Sequence, residues 1–499
     1  MSTERSDSPG LGSLGSGAVT AGALAVQQGL AAVVGVVIAR ELGRTAETDG
    51  FFAAYGVFVV LALAATASRA VLLPPLARAR DERRLGGETA SFALALGAVL
   101  GPAFVLAVVL RDPIGELLTG LGSDEAAAAA ASVLPWMVAA AIGQFGAGLA
   151  ASALAALDEY ATAAAGYAIG SVVGLALILW RIDDDGIAAV GWGMTLNAGI
   201  AVALPSVVLA LRARREAMPR GAVRATGPDG MSRRLAALGA GVALPLALQA
   251  VYLICLPFAA REGVGAVTSF GYAYLAGAAV VSVTASSLAL VTSVPLTRVG
   301  LDPGRVARHV DAASWLALVG VGATAGTVAL AGEPIFRAIL GGAYGADVGE
   351  ELGHVILALA PWMVVTVGVS VAFPLVFVAG RARALPLLAV AVLGVTAPLA
   401  WLGQAVGGLL GLALALALAT GVALLGMLAA LSSAGPTLGG LLRAALAVAV
   451  LAVVAYVPAA LVLPALPGAA VGLGLYVALL AVVRPPGLRA SWRYLRALA

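Results

Sequence analysis

The stretch Ala39-Arg40-Glu41-Leu42-Gly43-Arg44-Thr45-Ala46-Glu47-Thr48-Asp49-Gly50-Phe51-Phe52-Ala53-Ala54-Tyr55 runs on through apolar residues to Pro74-Pro75 and Arg78, and the chain repeats it in outline. Ala260-Arg261-Glu262 restarts the pattern, an apolar run follows, and Pro295 and Arg298 end it. Arg40 to Pro74 and Arg261 to Pro295 both span 34 residues. At the same offset of 221 residues, Gln28 falls on Gln249 and Pro113-Ile114 falls on Pro334-Ile335. Pro135-Trp136-Met137-Val138 returns as Pro361-Trp362-Met363-Val364, with the offset drifted to 226. The chain reads as a duplication.

Its 499 residues are 61% hydrophobic and 11% charged, with a mean hydropathy of +1.03; a soluble chain carries about a quarter of charged residues. The apolar residues come in blocks of about 20, enough to cross a ~30 Å bilayer core as helix. The blocks lie at 17–39, 51–73, 90–110, 132–156, 162–180, 188–211, 235–260, 266–294, 310–331, 352–378, 385–403, 407–431, 443–463 and 468–483. This predicts an all-α polytopic membrane protein of about fourteen transmembrane helices. Two six-helix lobes (17–211 and 235–431) are followed by two extra helices within 432–484. Residues 1–16 form a polar lead-in, 212–234 a basic linker and 485–499 a basic tail. With the N-terminus inside, 22 arginines fall on inner segments, six on outer ones and Arg69 within a span, which favours cytoplasmic N- and C-termini. Both lobes then run the same way, as parallel repeats that hold a substrate cavity between the halves.

Several functions are excluded. Gly10-x-Gly12-x-x-Gly15 has no room for the strand that a dinucleotide fingerprint needs. No arginine-aromatic interleaving points to nucleic acid. Cys255 is the only cysteine, and His309 and His354 are too isolated to suggest a metal, so no cofactor is expected. Outer loops are too short for a glycosyltransferase domain, so an enzyme is not expected. The acids, Asp49 among them, lie outside the deep parts of the spans, against a mid-membrane carboxylate relay.

The chemistry is left to polar residues that lipid penalises. Gln27 and Gln28, Gln144, Asn197 and Gln249 are such residues, with a hydroxyl stripe of Ser282, Thr284, Ser286, Ser287, Thr292 and Ser293. Gln28 and Gln249 each stand one helical stretch of ~18 Å before their outer Arg-Glu pair, near mid-membrane. Each either lines a cavity or joins neighbouring helices. Arg69 either snorkels to the headgroups or offers its fork of donors to a phosphate. Arg40 and Arg44 read as solvated charges of the outer rim, Asp183-Asp184-Asp185 as a solvated loop, and Gly170 with Gly174 as a site of close helix approach.

Thr48-Asp49-Gly50-Phe51-Phe52-Ala53-Ala54-Tyr55, with Pro74 closing the helix, resembles the signature after the first helix of the MurJ (MviN) flippases. Gly265-Ala266-Val267-Thr268-Ser269-Phe270-Gly271-Tyr272-Ala273, running on to Val294-Pro295-Leu296, resembles the start of that family's second half. The family is a branch of the multidrug/oligosaccharidyl-lipid/polysaccharide exporter superfamily. The resemblance implies an alternating-access flippase of a bacterial plasma membrane. Its members move undecaprenyl-linked lipid II to the outer leaflet for peptidoglycan synthesis, and Asp49 would be the outer-gate acid. Together with the residues above, this predicts a gate of Asp49, Arg40 and Arg261 and cargo contacts from Arg69, Gln28, Gln249, Asn197 and Gln144. The expected partners are membrane lipid, a lipid-linked saccharide and cell-envelope synthesis proteins, around a monomer. Coupling to membrane potential or a monovalent ion is left open. The family's arginines in the first and eighth helices are missing: Ala18 to Ala39 carries no charge, and Tyr274-Leu275 follow Ala273. Alternative readings are a polysaccharide-precursor or multidrug exporter, or a non-transporting cell-envelope scaffold.

Overall fold

In the computed structural model, residues 29–120, 123–157, 159, 161–215, 228–286 and 302–498 are described, and no strand occurs among them. Gln27, Gln28, Ser287, Thr292, Ser293 and the second proline stop at Pro295 lie outside the described residues. Twelve helices among the described residues are long and apolar enough to cross a membrane. In lipid the backbone has no water to bond, so each crossing must satisfy its own amides and carbonyls, which a helix does.

One of the twelve is two crossings. Leu385–Ala430 would be ~69 Å long as a straight helix, more than twice the bilayer core. It breaks at Gly407 (φ −145°, ψ 18°) and Gly408 (φ 54°, ψ −133°). A Cβ on Gly411 would fall on the Gly403 carbonyl, and one on Gly426 would fall on the Leu388 side chain, so the two arms lie antiparallel. The described residues thus hold thirteen crossings, and helix 29–41 is the described end of the first expected span.

The repeat is visible in the elements. Leu85–Val109 is followed by the short helix Arg111–Leu118 carrying Pro113. Pro303–Leu340 kinks at Ala331 (φ −128°, ψ 18°) before Pro334. The next crossing differs between the copies: Asp124–Ala155 passes unbroken through Pro135, whereas Ala346–Ala358 and Ala360–Val378 are separated at Leu359, just before Pro361. Pro74-Pro75, expected to close its helix, does not: Ala46–Asp81 continues past both prolines. Two prolines remove two helical donors, but surrounding helices and local adjustment make this tolerable within a membrane span. The expected tail is helical too, over Pro486–Leu498.

The chain divides into two compact units. One comprises residues through Leu42, Ala54–Gly115 and Ala128–Val242; the other comprises Gly43–Ala53, Glu116–Ala127 and Ala243–Ala499. In the first, Leu72, Leu76, Leu85, Phe92, Leu149, Ala153 and Ala156 form a buried cluster. Beside it Ala161–Asp185 packs on Ile187–Arg215 through glycines: a Cβ at Gly174 would stand 2.5 Å from the Gly193 carbonyl. In the second, Tyr456 and Tyr476 of the two C-terminal crossings fill space over Gly322 and Gly326 of Pro303–Leu340. The Tyr476 hydroxyl donates to the Val319 carbonyl at 3.1 Å, and that of Tyr456 donates to the Ala323 carbonyl at 3.0 Å.

Apolar bulk cannot hold helices together where the solvent is itself apolar, so close approach and cross-helix hydrogen bonds do it. Replacing Gly411 by valine is expected to force the hairpin arms apart and cost about 1–3 kcal/mol, read as a lower melting temperature in detergent. Gly394→Ala, with nothing within 4 Å of the new methyl, is expected to leave it unchanged.

Candidate functional site

The second unit contains a buried charge cluster built around Asp49. The chain turns at Gly43 (φ 66°) and starts Ala46–Asp81 with a reciprocal cap. The Thr45 amide donates to Thr48 Oγ1 at 2.9 Å, and the Thr48 amide donates to Thr45 Oγ1 at 3.3 Å. Asp49 follows in the first turn. Its carboxylate accepts from the Gly265 amide at 2.5 Å, the Thr268 amide at 2.8 Å and the Thr268 hydroxyl at 2.6 Å. Those amides begin the Ala266–Val281 helix, whose N-cap position is Gly265 and so has no side chain to offer. Asp49 therefore supplies from another element the acceptor that a helix start requires, and the helix dipole favours its negative charge.

Gly265 is constrained from two sides. Its φ of 85° is left-handed, which glycine adopts at low cost, and a Cβ there would collide with the Arg44 stem. Arg44 donates through Nε to the Gly265 carbonyl at 3.0 Å and through Nη2 to Glu351 Oε1 at 2.9 Å. Tyr344 donates to the Gly43 carbonyl at 3.4 Å and receives a hydrogen bond from Tyr272. Burial pushes the Tyr344 hydroxyl well above the usual phenol range, with Arg44 pulling it back in part. The Phe52 ring packs edge-on against Tyr272 at 4.8 Å.

Of the expected gate residues, Asp49 sits at the centre of this cluster. The arginine brought to it is Arg44, not the solvated rim charge expected from the sequence. Arg40 is on the exposed side of helix 29–41, and Arg261 lies 5.1 Å from the Phe258 ring centroid, exposed. Arg44 and Gly265 are 221 residues apart, the repeat offset itself, so corresponding positions of the duplication meet. That was the available signal. Next to the cluster, a cleft of about 550 Å³ is lined by Arg44, Glu262, Asp347, Glu350, Glu351 and His354. Among the described residues no group of histidines, cysteines or acids is arranged to hold a metal.

The expected cargo residues are distributed differently. Gln249 is half-buried and accepts from the Tyr274 hydroxyl at 2.8 Å. Tyr274 stacks on Tyr252 at 4.0 Å and lies 5.0 Å from Trp362 of the repeated Pro-Trp-Met-Val. In the first unit, Asn197 is pressed against the Gly170–Gly174 notch, its Oδ1 buried without a hydrogen-bond partner. Gln144 lies one turn from Gly148 on the Asp124–Ala155 helix, and Gly148 is where the Arg69 stem rests, its Cγ 3.3 Å from the position a Cβ would take. Arg69 is exposed and within electrostatic reach of the Tyr167 hydroxyl. The Arg69 stem thus rests on the helix that carries Gln144, one turn away; Asn197 and Gln249 are each held in helix packing.

The cap geometry is testable. Asp49→Asn would turn an amide donor toward backbone donors, and Asp49→Ala would leave both amides without an acceptor. Charge-assisted hydrogen bonds contribute about 1.5–3 kcal/mol each, so amide hydrogen exchange across 265–270 is expected to quicken about ten- to a hundredfold in both variants.

No protein-family model matches the sequence, and no curated protein matches it significantly. Solved structures do match in three dimensions. Lipid II flippase MurJ in an inward closed conformation superimposes with a TM-score of 0.72 at 14% identity, over 93% of this chain and 98% of that one. An inward-facing multidrug resistance MATE family transporter of the MOP superfamily gives 0.58 at 14% identity, over 84% and 95%. The eukaryotic MATE transporter AtDTX14 gives 0.54 at 15% identity, over 87% and 97%. The chain is a multi-pass helical membrane protein with the fold shared by the MurJ flippase and the MATE transporters of the MOP superfamily.

Proposed function

We propose that the chain is a transporter, not an enzyme, that flips a lipid-linked saccharide of the undecaprenyl-phosphate type between leaflets by alternating access. Lipid II, and with it peptidoglycan synthesis, is the leading cargo. The observation that carries the reading is Arg69. From Phe51 to Ala77 it is the sole charge, and its stem is braced on Gly148 while its guanidinium is left exposed. A guanidinium kept within an apolar span is costly and characteristic of a substrate path, and its planar fork suits a phosphate or pyrophosphate. Tyr167, within electrostatic reach of Arg69, and Gln144, one turn from Gly148, suit the head group. The MurJ-like fold supports the same reading.

In such a cycle the Asp49 cap on Gly265 and Thr268 is the bond that is made and broken, and Arg44 with Glu351 secures it. The arginine asymmetry supports cytoplasmic termini in a bacterial plasma membrane. A multidrug exporter is the second reading, favoured by the MATE-like likenesses.

Reconstituted in proteoliposomes with lipid II or another undecaprenyl-pyrophosphate saccharide, Arg69→Ala is expected to slow translocation about ten- to a hundredfold, the loss of one charge-assisted fork. Arg69→Lys keeps the charge without the fork and is expected to fall between. Unchanged flux in Arg69→Ala would remove Arg69 as a ligand. Efflux of cationic drugs, with no saccharide flipping by the unaltered chain, would select the second reading.

A further inference from the structure

The final helix, Pro486–Leu498, has two unlike faces. Gly487, Ser491 and Tyr494 recur at helical spacing on one side, and Arg489, Trp492 and Arg493 lie on the other. The first face is docked. A Cβ on Gly487 would fall on the Trp315 indole, so the helix backbone lies flush on Pro303–Leu340. Ser491 is buried and donates to the Gly487 carbonyl at 2.7 Å, Leu488 packs on the Tyr456–Tyr476 cluster, and the Tyr494 ring lies 6.0 Å from His309. The second face is exposed: Trp492 is 53% exposed, and Arg489 and Arg493 are exposed beside it.

Pairing Gly487 with Trp315 and Tyr494 with His309 makes the two helices antiparallel. The first turns of Pro303–Leu340 thereby bring Arg305 and Arg308 alongside the tail, close enough to act on the Tyr494 hydroxyl. Asp302 is the acid in this group, bridging Arg305 at 3.0 Å. The preceding crossing, Ala465–Val483, ends at Arg484, two residues before the tail begins. The patch therefore stands where the apolar span gives way to charge, at headgroup level. Tryptophan favours that level, and arginines there attract anionic lipid.

We propose that Arg489 and Arg493, flanking Trp492, together with Arg305 and Arg308 beside Tyr494, form a binding site for the phosphate headgroups of anionic phospholipids at this end of the bundle. The site is separate from Arg69 and does not depend on the identity of any cargo. The lipid ties the exposed face of the tail helix to the membrane while the other face holds the protein.

The test uses the full chain with phosphatidylglycerol and phosphatidylcholine. Native mass spectrometry of detergent-purified protein, titrated with equal amounts of both, is expected to show preferential retention of phosphatidylglycerol, weakening with ionic strength. Arg489→Gln with Arg493→Gln is expected to lower that preference about fivefold per arginine, with an unchanged melting temperature in phosphatidylcholine alone. An unaltered preference in the double variant would overturn the proposal, as would a preference of the unaltered chain that is insensitive to salt. If the tail instead docks an acidic soluble protein, phosphatidylglycerol will show no advantage, and the proposal fails. In nanodiscs, hydrogen exchange over 486–498 is expected to slow when phosphatidylglycerol replaces phosphatidylcholine; no difference would equally overturn it.

Discussion

A carboxylate closing the start of another helix is the interaction on which the charged end of the second unit depends. The Ala266–Val281 helix begins at a left-handed glycine, so its N-cap offers no side-chain acceptor. The Ala266 amide finds the Gly263 carbonyl at 3.2 Å, and the Gly265 and Thr268 amides need a partner from elsewhere. A bare helix start in a largely apolar protein leaves donors unpaired at a cost of about 1–3 kcal/mol each. Asp49 removes that cost with one side chain, accepting from Gly265 and Thr268 together. The glycine permits this, because a Cβ would collide with Arg44, and Arg44 in turn holds the Gly265 carbonyl and Glu351. Glycine, acid and arginine are thus one device, and Thr48 sets its angle by starting the Asp49 helix in a reciprocal cap.

Elsewhere the bundle is held by the absence of side chains as much as by their presence. Gly403 and Gly411 let the two arms of one hairpin touch, Gly174 and Gly193 do so for two neighbouring crossings, and Gly322 and Gly326 receive the rings of Tyr476 and Tyr456. This is expected where lipid competes on equal terms for every apolar surface. It also explains why Asn197 is held where it is: the notch that makes room for it is made of glycine.

Against this neutral scaffold the few charges stand out by position. The stem of Arg69 rests on Gly148 with Tyr167 in electrostatic reach, and among the described residues no acid forms an ion pair with it. At the chain's end the pattern is different. Arg489 and Arg493 project from a helix that is itself docked, and both are exposed.

The order of residues alone determined the class of protein and most of its helices, because the apolar runs are long, the bilayer has a definite thickness and a helix has a definite rise. The repeat was equally legible: Pro113-Ile114 lies in the short helix Arg111–Leu118 after one crossing, and Pro334-Ile335 follows the kink at Ala331 in Pro303–Leu340. Arg69 could be picked out as the charge that apolar neighbours do not explain. The sequence could not show that Pro74-Pro75 would be carried inside a continuous helix, or that Leu385–Ala430 turns back on itself at two glycines, since both depend on what packs alongside. Nor could it show that Arg44 is clamped while Arg40 and Arg261 are exposed, because all three are arginines beside the same kind of loop. Tertiary structure decided that. A side chain's partner depends on the distance between helix ends in space, and only the folded chain brings Asp49 and Arg44 to Gly265.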